Sequence, residues 1–548
     1  MKNKINTKKN YLYEIQNGIK NIKNKKYDKA EKNFQRAILI EKINYSAYLN
    51  LSNLFLIIDE RDKAIATLLS YLEEINFTQE IADLLLKIYF EYNYNSEIEK
   101  FFKKFDIDKL LEKNKRYNLY YIKAKYYEKI NIISKSINFY KKSINSNSNI
   151  SNVYINFFDV LERSNNLEIL NKYLDLAEKF DNEDFNFFRI KYFKAFYLYR
   201  KKSYLPSEQI IKNFNLVTNL NKDKFFNYKI LDLNSKNNDK IGNYKKSLNA
   251  ILKRNNFLIT SFDNFKHGSY LLNETINKYK NFYNKDFSNN TQLNNLSFKN
   301  KLFFLVGFPR SGTTLLDSIL RSHSKTIIIE EKPYLLNCRH EYFKNNNNNL
   351  KSILNIEKST IIDLRKKYLD QINAEYNVKD KIIVDKFPLS IVELGFIKII
   401  FPEAKIIFSI RHPCDVILSC FFSSFKINEA MYNFLDWNST IKFYNNVLSL
   451  FEIYENSLKQ NIHYIKYEEV VIDFKKSITN LLKFMNLNFE DKLYNFYETA
   501  TDRVLISTPS YSQVTNPLYK SSIGKWKNYK TDINPEKQVL KWIRKFDY

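Results

Sequence analysis

The pattern of apolar and polar positions repeats along the first half of the chain. The segment YDKAEKNFQRAI (27–38) recurs as RDKAIATLLSYL (61–72), so that Ala64 stands in the second copy where Ala30 stands in the first. The segment SEIEKFFKKF falls one period later, and SKSINFYKKSI fits about one further step on. A recurring amphipathic segment of this length predicts stacked helical units, each of which buries its apolar face against its neighbours.

A period of about 34 residues is typical of tetratricopeptide repeats, helix–turn–helix units in which small residues allow close packing and an aromatic ring fills the gap between helices. Gly18, Ala30, Phe34 and Ala37 match the small, small, aromatic and small positions of that repeat. Later copies drift, with Ser136 in place of alanine, and the proline usual at the repeat end is missing. A generic helical bundle is the alternative. In either case we expect a scaffold whose concave face binds a peptide or protein partner.

Proline separates this half from the second, because only Pro206 precedes residue 300. Proline-free stretches suit continuous helices, and proline-punctuated ones suit strands, loops and shorter helices. From about residue 298, β-branched runs end at polar loops: KLFFLVGF (301–308), KIIVDKFP (381–388), AKIIFSIRHP (404–413) and NIHYIKYEEV (461–470). Strands that alternate with helices predict a parallel α/β sheet whose ligand lies at the carboxyl ends of the strands.

The predicted architecture is therefore an α-helical solenoid followed by an α/β domain with a central parallel sheet. We place tetratricopeptide-like repeats at residues 1–180, degenerate helical repeats and a linker at 181–295, and the α/β domain at 296–548. The chain has 548 residues. That length is enough for about three domains at roughly 100–200 residues each.

The charge changes this picture little. The formal net charge is +27, with 87 Lys and Arg against 60 Asp and Glu. Such an excess usually indicates nucleic acid, a membrane surface or an anionic substrate. Here it is mostly lysine and accompanies abundant Asn, Ile, Tyr and Phe, a composition typical of an A/T-rich genome. We therefore expect one local anionic site and no nucleic-acid partner.

Cysteines and hydropathy exclude further classes. Cys338, Cys414 and Cys420 have no CxxC spacing and form no disulfide framework, and five histidines without a cluster argue against a zinc site. The N-terminal stretch is polar, and the longest apolar run, near 391–401, is short and interrupted by charges. We expect a soluble cytoplasmic protein without a transmembrane segment.

The strongest candidate for chemistry is the loop GFPRSGTT (307–314), which follows a strand and opens a helix. Its two glycines have the GxxxxG spacing of a phosphate cradle, and the hydroxyls of Ser311, Thr313 and Thr314 add donors. Thr313 stands where a Walker P-loop has lysine, and the cation is instead Arg310, inside the loop. In a lysine-rich chain, an arginine here indicates bidentate recognition of an anion.

This segment, VGFPRSGTTLLDSILRSH, resembles the 5′-phosphosulfate-binding segment of sulfotransferases that use 3′-phosphoadenosine 5′-phosphosulfate (PAPS), above all the tyrosylprotein sulfotransferase-like group and bacterial proteins that join tetratricopeptide repeats to such a domain. The resemblance covers about residues 296–530 and continues in order along the chain. It implies PAPS as the sulfuryl donor and no metal. The nucleotide-binding residues that it implies are Pro309, Arg310, Ser311, Gly312, Thr313, Thr314, Arg411, Ser419, Tyr467 and Lys525, with Arg411 and Ser419 gripping the 3′-phosphate.

The resemblance also implies the catalytic residues. The spacing from Arg310 to Glu331 equals the family's spacing from the loop arginine to the general base, and the neighbouring Glu330 is the rival. Arg310 and Lys386 would stabilise charge on the leaving phosphate, and Ser510 would donate a hydrogen bond. A general base contributes about 10²–10⁴ in rate.

Other conspicuous residues receive structural interpretations. Asp385 resembles a Walker-B aspartate but is expected to be structural, with the orientation of Lys386 as a candidate role. His323 and His412 are expected to position or pack, and Trp526 either covers the nucleotide or belongs to the core.

Three functions remain open from sequence. The leading one is a PAPS-dependent sulfotransferase whose repeats recruit the acceptor or a protein partner; the acceptor is a protein tyrosine, a glycan or a small hydroxyl compound. A P-loop kinase or NTPase is the second, and a non-catalytic repeat adaptor with a relic α/β domain is the third.

Overall fold

The computed structural model describes residues 2–181, 184, 186–214, 224–285, 301–501 and 517–548. The chain forms two compact units, Met1–Tyr197 and Leu198–Tyr548. The boundaries predicted after residues 180 and 295 stay predictions, and the helices between residues 224 and 285 lie in the second unit. Among the described residues, no helix is both long enough and apolar enough to cross a membrane.

The predicted helical first half is confirmed, and its helices follow one another in pairs. Up to residue 285 the described helices are α1 (Lys2–Lys23), α2 (Tyr27–Ile40), α3 (Tyr45–Ile57), α4 (Arg61–Ser70), α5 (Gln79–Glu91), α6 (Asn95–Lys104), α7 (Ile107–Leu110), α8 (Tyr117–Lys129), α9 (Ile133–Ser146), α10 (Ser151–Arg163), α11 (Leu167–Ala177), α12 (Phe187–Arg200), α13 (Tyr204–Phe214), α14 (Lys224–Ile241), α15 (Tyr244–Ser261) and α16 (Asn264–Lys285).

The turns within the pairs share one geometry. Two residues before the second helix of each pair, the backbone is left-handed, with φ between 55° and 88°, at Lys25, Asp59, Asn93, Asn131, Asn165, Lys202 and Gly242. The next residue in each turn donates its N–H to the carbonyl five residues back, at 2.8–2.9 Å. This is the bond of a Schellman cap, which satisfies a free carbonyl at the helix end. The same helix–turn–helix unit therefore recurs as far as α15.

The spacing of these turns explains where the sequence repeat drifts. Lys25, Asp59 and Asn93 are evenly spaced along the chain, but Asn131 follows after a longer interval, because α7 is inserted between the pairs. The small residue that packs against the partner helix stays buried in the later copy as well, since Ser136 is buried and its Oγ donates to Ala124 O at 2.9 Å.

Gly18 supplies the closest approach between α1 and α2. A Cβ atom at Gly18 would lie 2.3 Å from Cε1 of the buried Phe34 ring, so Gly18→Ala must displace that ring. Overpacking of this kind typically costs about 1–3 kcal/mol, which exceeds the gain in helix propensity of about 1 kcal/mol. We expect Gly18→Ala to lower the midpoint of thermal unfolding, whereas Gln16→Ala, on the exposed face of the same helix, should leave it unchanged or raise it. Equal or higher stability of Gly18→Ala would contradict this packing.

The second unit contains a parallel five-stranded sheet, in the order β2-β3-β1-β4-β5. Its strands are β1 (Leu302–Gly307), β2 (Thr326–Glu330), β3 (Ile382–Lys386), β4 (Lys405–Ile410) and β5 (Ile462–Lys466). The four predicted strands are confirmed. The sequence prediction missed β2, a short edge strand enclosed by polar residues.

Helices cover both faces of this sheet. They are α17 (Thr313–Arg321), α18 (Tyr334–Asn345), α19 (Lys358–Glu375), α20 (Leu394–Ile400), α21 (Pro413–Phe422), α22 (Trp437–Leu458), α23 (Tyr467–Ile472), α24 (Phe474–Met485), α25 (Phe496–Thr501) and α26 (Leu540–Lys545). Alternate β1 residues belong to different cores: Phe303 and Leu305 pack with α17 and α24, and Phe304 and Val306 pack with α16, α20 and α22. Helix α16 is thus part of the α/β core, where a Cβ at Gly395 would meet the Tyr283 ring at 2.1 Å.

Candidate active site

The loop between β1 and α17 lies at the carboxyl edge of the sheet, and two glycines shape it. A Cβ at Gly307 would lie 2.6 Å from Ser311 Oγ and 2.7 Å from Ser409 O, so only glycine lets the loop close. Gly312, with φ +106°, occupies the left-handed N-cap of α17, where no side chain caps the helix. The first N–H groups of α17 therefore have no partner within the helix, and they and the helix dipole favour an anion.

Two arginines meet beside this loop. The Arg310 Nε donates to Ser419 Oγ at 3.0 Å, and the Arg411 Nη1 donates to the Arg310 carbonyl at 3.3 Å. The Arg411 guanidinium lies over the Tyr467 ring, 5.0 Å from its centroid, and its Nη2 donates to Ser522 O at 2.5 Å. Burial lowers the pKa of the Arg310 guanidinium.

Some buried hydrogen-bond donors near this loop have no hydrogen-bond partner among the described residues. These donors include the Ser311 hydroxyl and the Nε of Arg411, and the two residues are only 2% and 8% exposed. A buried donor without an acceptor costs about 1–3 kcal/mol, so a ligand that supplies acceptors would stabilise these two positions.

A second cluster surrounds the ammonium of Lys386, the last residue of β3. This residue is fully buried, and its Nζ lies 2.7 Å from Glu331 Oε1, 3.5 Å from Glu330 Oε1 and 3.7 Å from Asp317 Oδ2. Burial alone would lower the pKa of Lys386, but the three carboxylates raise it above its ordinary value. The ammonium therefore stays charged, with the Glu331 carboxylate, 32% exposed, as its nearest partner.

The backbone at both Arg310 and Glu331 is left-handed, with φ +72° and +49°. For a residue with a side chain this conformation costs about 1–2 kcal/mol. The Glu331 N–H nevertheless donates to Lys386 O at 2.8 Å, which continues the pairing of β2 with β3. Strain of this kind concentrates where a fold must aim a side chain.

The side chains of the described candidate residues do not all lie in one group. Arg310, Arg411, Ser419 and Tyr467 lie together, but the Lys525 ammonium donates to Asp239 Oδ2 at 2.7 Å. Ser419, predicted beside Arg411, contacts Arg310. Ser510 lies outside the described residues, so its role stays a prediction.

Asp385 lies inside the core, as its structural interpretation requires. The buried carboxylate accepts a hydrogen bond from the Tyr368 hydroxyl at 2.7 Å. Burial raises the pKa of Asp385 to about 7. The Asp385 carboxyl group is therefore hydrogen-bonded inside the core, on the residue that precedes Lys386 at the end of β3.

The two histidines beside the motifs are engaged in packing and capping. His323 Nε2 lies 3.0 Å from Asn488 O. His412 Nδ1 accepts from Cys414 N at 3.2 Å and caps α21, with its ring stacked on the buried Trp526. Burial lowers the pKa of His412, so its ring is neutral at neutral pH.

Sequence reasoning missed Asp317, Asp415 and Ser522. Asp317 is an acidic residue between the apolar pairs Leu315–Leu316 and Ile319–Leu320 of α17, and that position was the available signal. Asp415 accepts from the backbone N–H groups of Gly524 and Trp526, at 2.7 and 2.9 Å, and so ties the C-terminal segment to α21. Ser522 Oγ is 2.7 Å from the Tyr467 hydroxyl. No local pattern marks these long-range contacts.

Comparison with known proteins shows which family the second half of the chain is similar to. Residues 303–491 match a family model described as "Sulfotransferase family". An uncharacterised protein of Aquifex aeolicus is 28% identical over 247 residues, which are 43% of this chain and 32% of that protein. Protein-tyrosine sulfotransferase A of Caenorhabditis elegans is 22% identical over 234 residues, 41% of this chain and 60% of that enzyme. The chain thus spans less than two thirds of either relative.

A sulfotransferase domain from the curacin biosynthetic pathway is similar to 46% of this chain over 99% of its own length, with 18% identity and a TM-score of 0.33. The resemblance to sulfotransferases stated from the sequence is confirmed, because residues 303–491 match this family model. The relatives of this segment include protein-tyrosine sulfotransferases.

Proposed function

We propose that this protein transfers a sulfuryl group from PAPS to an acceptor hydroxyl. The observation that carries the proposal is the ion pair between Glu331 and the buried Lys386, at 2.7 Å, at strand ends beside a phosphate-type loop. A carboxylate and a cation so placed provide a proton acceptor and a stabiliser of negative charge, the two groups that transfer from a phosphosulfate requires.

The residues present fit a donor with two separate anionic groups. The loop from Gly307 to Thr314 would hold the 5′-phosphosulfate, with the Ser311 hydroxyl and the first N–H groups of α17 as donors. Arg411, which follows β4, would hold the 3′-phosphate with Ser419. The unpartnered Ser311 Oγ and Arg411 Nε, both among the described residues, supply one donor for each anion.

In the proposed reaction, the Glu331 carboxylate accepts the proton of the acceptor hydroxyl. The hydroxyl oxygen bonds to sulfur while the bond from sulfur to the bridging oxygen breaks, and that oxygen leaves with the 5′-phosphate of adenosine 3′,5′-bisphosphate. Arg310 and Lys386 stabilise the charge that develops on it, and Ser510 would add a hydrogen bond. Side chains of this protein thus accept the proton and stabilise the negative charge on the leaving phosphate.

The kinase alternative is weakened by the residues that it would require. Thr313 replaces the Walker lysine, and the buried Asp385 carboxylate accepts a hydrogen bond from the Tyr368 hydroxyl. The adaptor alternative would require a decayed site, but a charged Lys386 is kept fully buried there at a large desolvation cost.

We further propose that the repeats recruit the acceptor or a protein partner. Protein tyrosine is one candidate acceptor, because relatives are named as protein-tyrosine sulfotransferases; a glycan and a small hydroxyl compound remain in the proposal as further candidates.

A thermal-shift comparison in EDTA tests the donor. Adenosine 3′,5′-bisphosphate at about 100 times its Kd should stabilise the folded state by about 2.7 kcal/mol. We expect a metal-independent rise in the midpoint with the bisphosphate and a smaller rise with ATP. A rise only with ATP and added Mg²⁺ would favour the kinase, and no rise with either would favour the adaptor.

A further inference from the structure

Helix α21 links the parts of the proposed nucleotide site. It begins two residues after Arg411, and its last turn contacts the phosphate loop, where Ser419 Oγ accepts from Arg310 Nε at 3.0 Å and Cys420 Sγ lies 3.2 Å from Pro309 O. Any shift of this last turn would therefore move the side chain and the backbone of the loop together.

The end of α21 is held by a residue from a distant helix, Arg254 of α15. Arg254 is only 1% exposed, and its guanidinium donates to three consecutive carbonyls, of Phe421 at 3.1 Å, Phe422 at 3.0 Å and Ser423 at 3.4 Å. These are the carbonyls that a helix C-terminus leaves without partners, and a cation there also complements the helix dipole.

The guanidinium is itself fixed by the preceding helix of the same hairpin. Asp232 of α14 accepts from Arg254 Nη1 at 2.5 Å. Burial would raise the pKa of Asp232, but Lys236 and Arg254 lower it to about 2, so the carboxylate is charged at neutral pH. Asn255 completes the arrangement by accepting from Arg254 Nη2 at 2.8 Å and donating to Phe421 O at 3.3 Å.

The same hairpin also holds the C-terminal segment of the proposed site. Asp239, near the end of α14, accepts from Lys525 Nζ at 2.7 Å and from the Tyr529 hydroxyl at 2.6 Å. The Tyr529 hydroxyl is in turn 3.1 Å from Ser247 Oγ of α15.

We infer that the hairpin α14–α15, the last helix–turn–helix unit of the series among the described residues, forms one side of the nucleotide site. Within it, Arg254 is a positioning residue. It holds the last turn of α21, and that turn positions Ser419, Pro309 and Arg310. The inference rests on the proposed function. It assigns this hairpin to donor binding and leaves the earlier hairpins for a partner.

The test compares Arg254→Met with a matched control, Arg365→Met, in the full-length protein. Arg365 of α19 is also buried, at 7% exposed, and caps another helix end in the same unit, with its Nε donating to Ile400 O at 2.5 Å and its Nη2 to Glu403 at 3.0 Å. Both substitutions remove a buried arginine from a helix C-terminus: Arg254 caps α21, whereas Arg365 caps the end of α20. Loss of folded-state stability is expected for both, since each removes the arginine that pairs with a carboxylate, Asp232 or Glu403.

The readout is the Kd for adenosine 3′,5′-bisphosphate, measured well below the unfolding midpoint of each variant. Arg254→Met should weaken binding about tenfold or more, equal to about 1.4 kcal/mol, with Arg365→Met near wild type and Arg254→Lys partly rescued. If Arg254→Met does not fold, the double variant Asp232→Asn, Arg254→Met, which also removes the negative charge of Asp232, is measured instead.

Wild-type affinity in the Arg254 variant, or an equal loss in the Arg365 variant, overturns the inference. Failure of the wild-type protein to bind the bisphosphate overturns the proposed function itself, so the two failures are distinguishable.

Discussion

Glu331→Gln should reduce the rate of sulfuryl transfer by about 10²–10⁴, the usual contribution of a general base. The amide can still accept a hydrogen bond from the Lys386 ammonium, which lies 2.7 Å from the carboxylate, but it cannot take the proton of the acceptor hydroxyl. The loss should appear in kcat, whereas the affinity for adenosine 3′,5′-bisphosphate should stay within a factor of about two, because Glu331 has no role in holding the nucleotide.

Glu330→Gln is the matched control. Glu330 is the adjacent carboxylate, and its Oε1 is 3.5 Å from the same ammonium, but its other oxygen faces Arg321 at 3.8 Å. We expect it to lose less than about tenfold in kcat. If instead Glu330→Gln loses more activity than Glu331→Gln, the base assignment must move to Glu330.

Arg310→Ala should impair both binding and chemistry. Hydrogen bonds to charged groups contribute about 1.5–3 kcal/mol each, so losing the guanidinium should weaken bisphosphate binding by about 10–100-fold. Loss of charge stabilisation on the leaving phosphate should lower kcat by about a further 10²–10³. Titration with the bisphosphate and single-turnover transfer from PAPS measure the two effects separately.

Arg310→Lys separates charge from geometry in this prediction. Lysine keeps the positive charge but cannot form the bidentate contact of the guanidinium, so intermediate losses are expected. Arg310→Ala protein that binds the bisphosphate as tightly as wild type would contradict the position of the donor in this loop.

The local motifs allowed much of the site to be predicted from sequence. A β-strand, a loop with fixed glycine positions and a helix are contiguous, so the spacing in the loop already determines where Arg310 and the backbone donors lie. The strand end at Lys386 follows the same logic, because parallel strands present their carboxyl ends at one edge. Glu331 was placed only by its spacing from Arg310 in the family that the segment resembles.

What the sequence did not predict depends on contacts between distant segments. The edge strand β2 was missed although four of its five residues are β-branched, because so short an apolar run between polar residues gives a weak signal. The contacts of Arg254 with α21 and of Asp239 with Lys525 join segments that are far apart in the sequence, and they leave no periodic signal. In the repeats, the inserted helix α7 lengthens the interval before the next turn. The sequence period is therefore interrupted, although the same turn geometry recurs as far as Gly242.

A double-label experiment tests most directly whether PAPS is the donor and Glu331 the base of the transfer. The wild-type protein and Glu331→Gln are each given PAPS with radioactive sulfur or ATP with a radioactive γ-phosphate, together with a mixture of tyrosine peptides, polysaccharides and small hydroxyl compounds. We expect that, in EDTA, sulfur label passes to an acceptor with the wild-type protein and at least about 10²-fold more slowly with Glu331→Gln. Transfer of phosphate label from ATP in Mg²⁺, with no transfer of sulfur label, would contradict the proposed function.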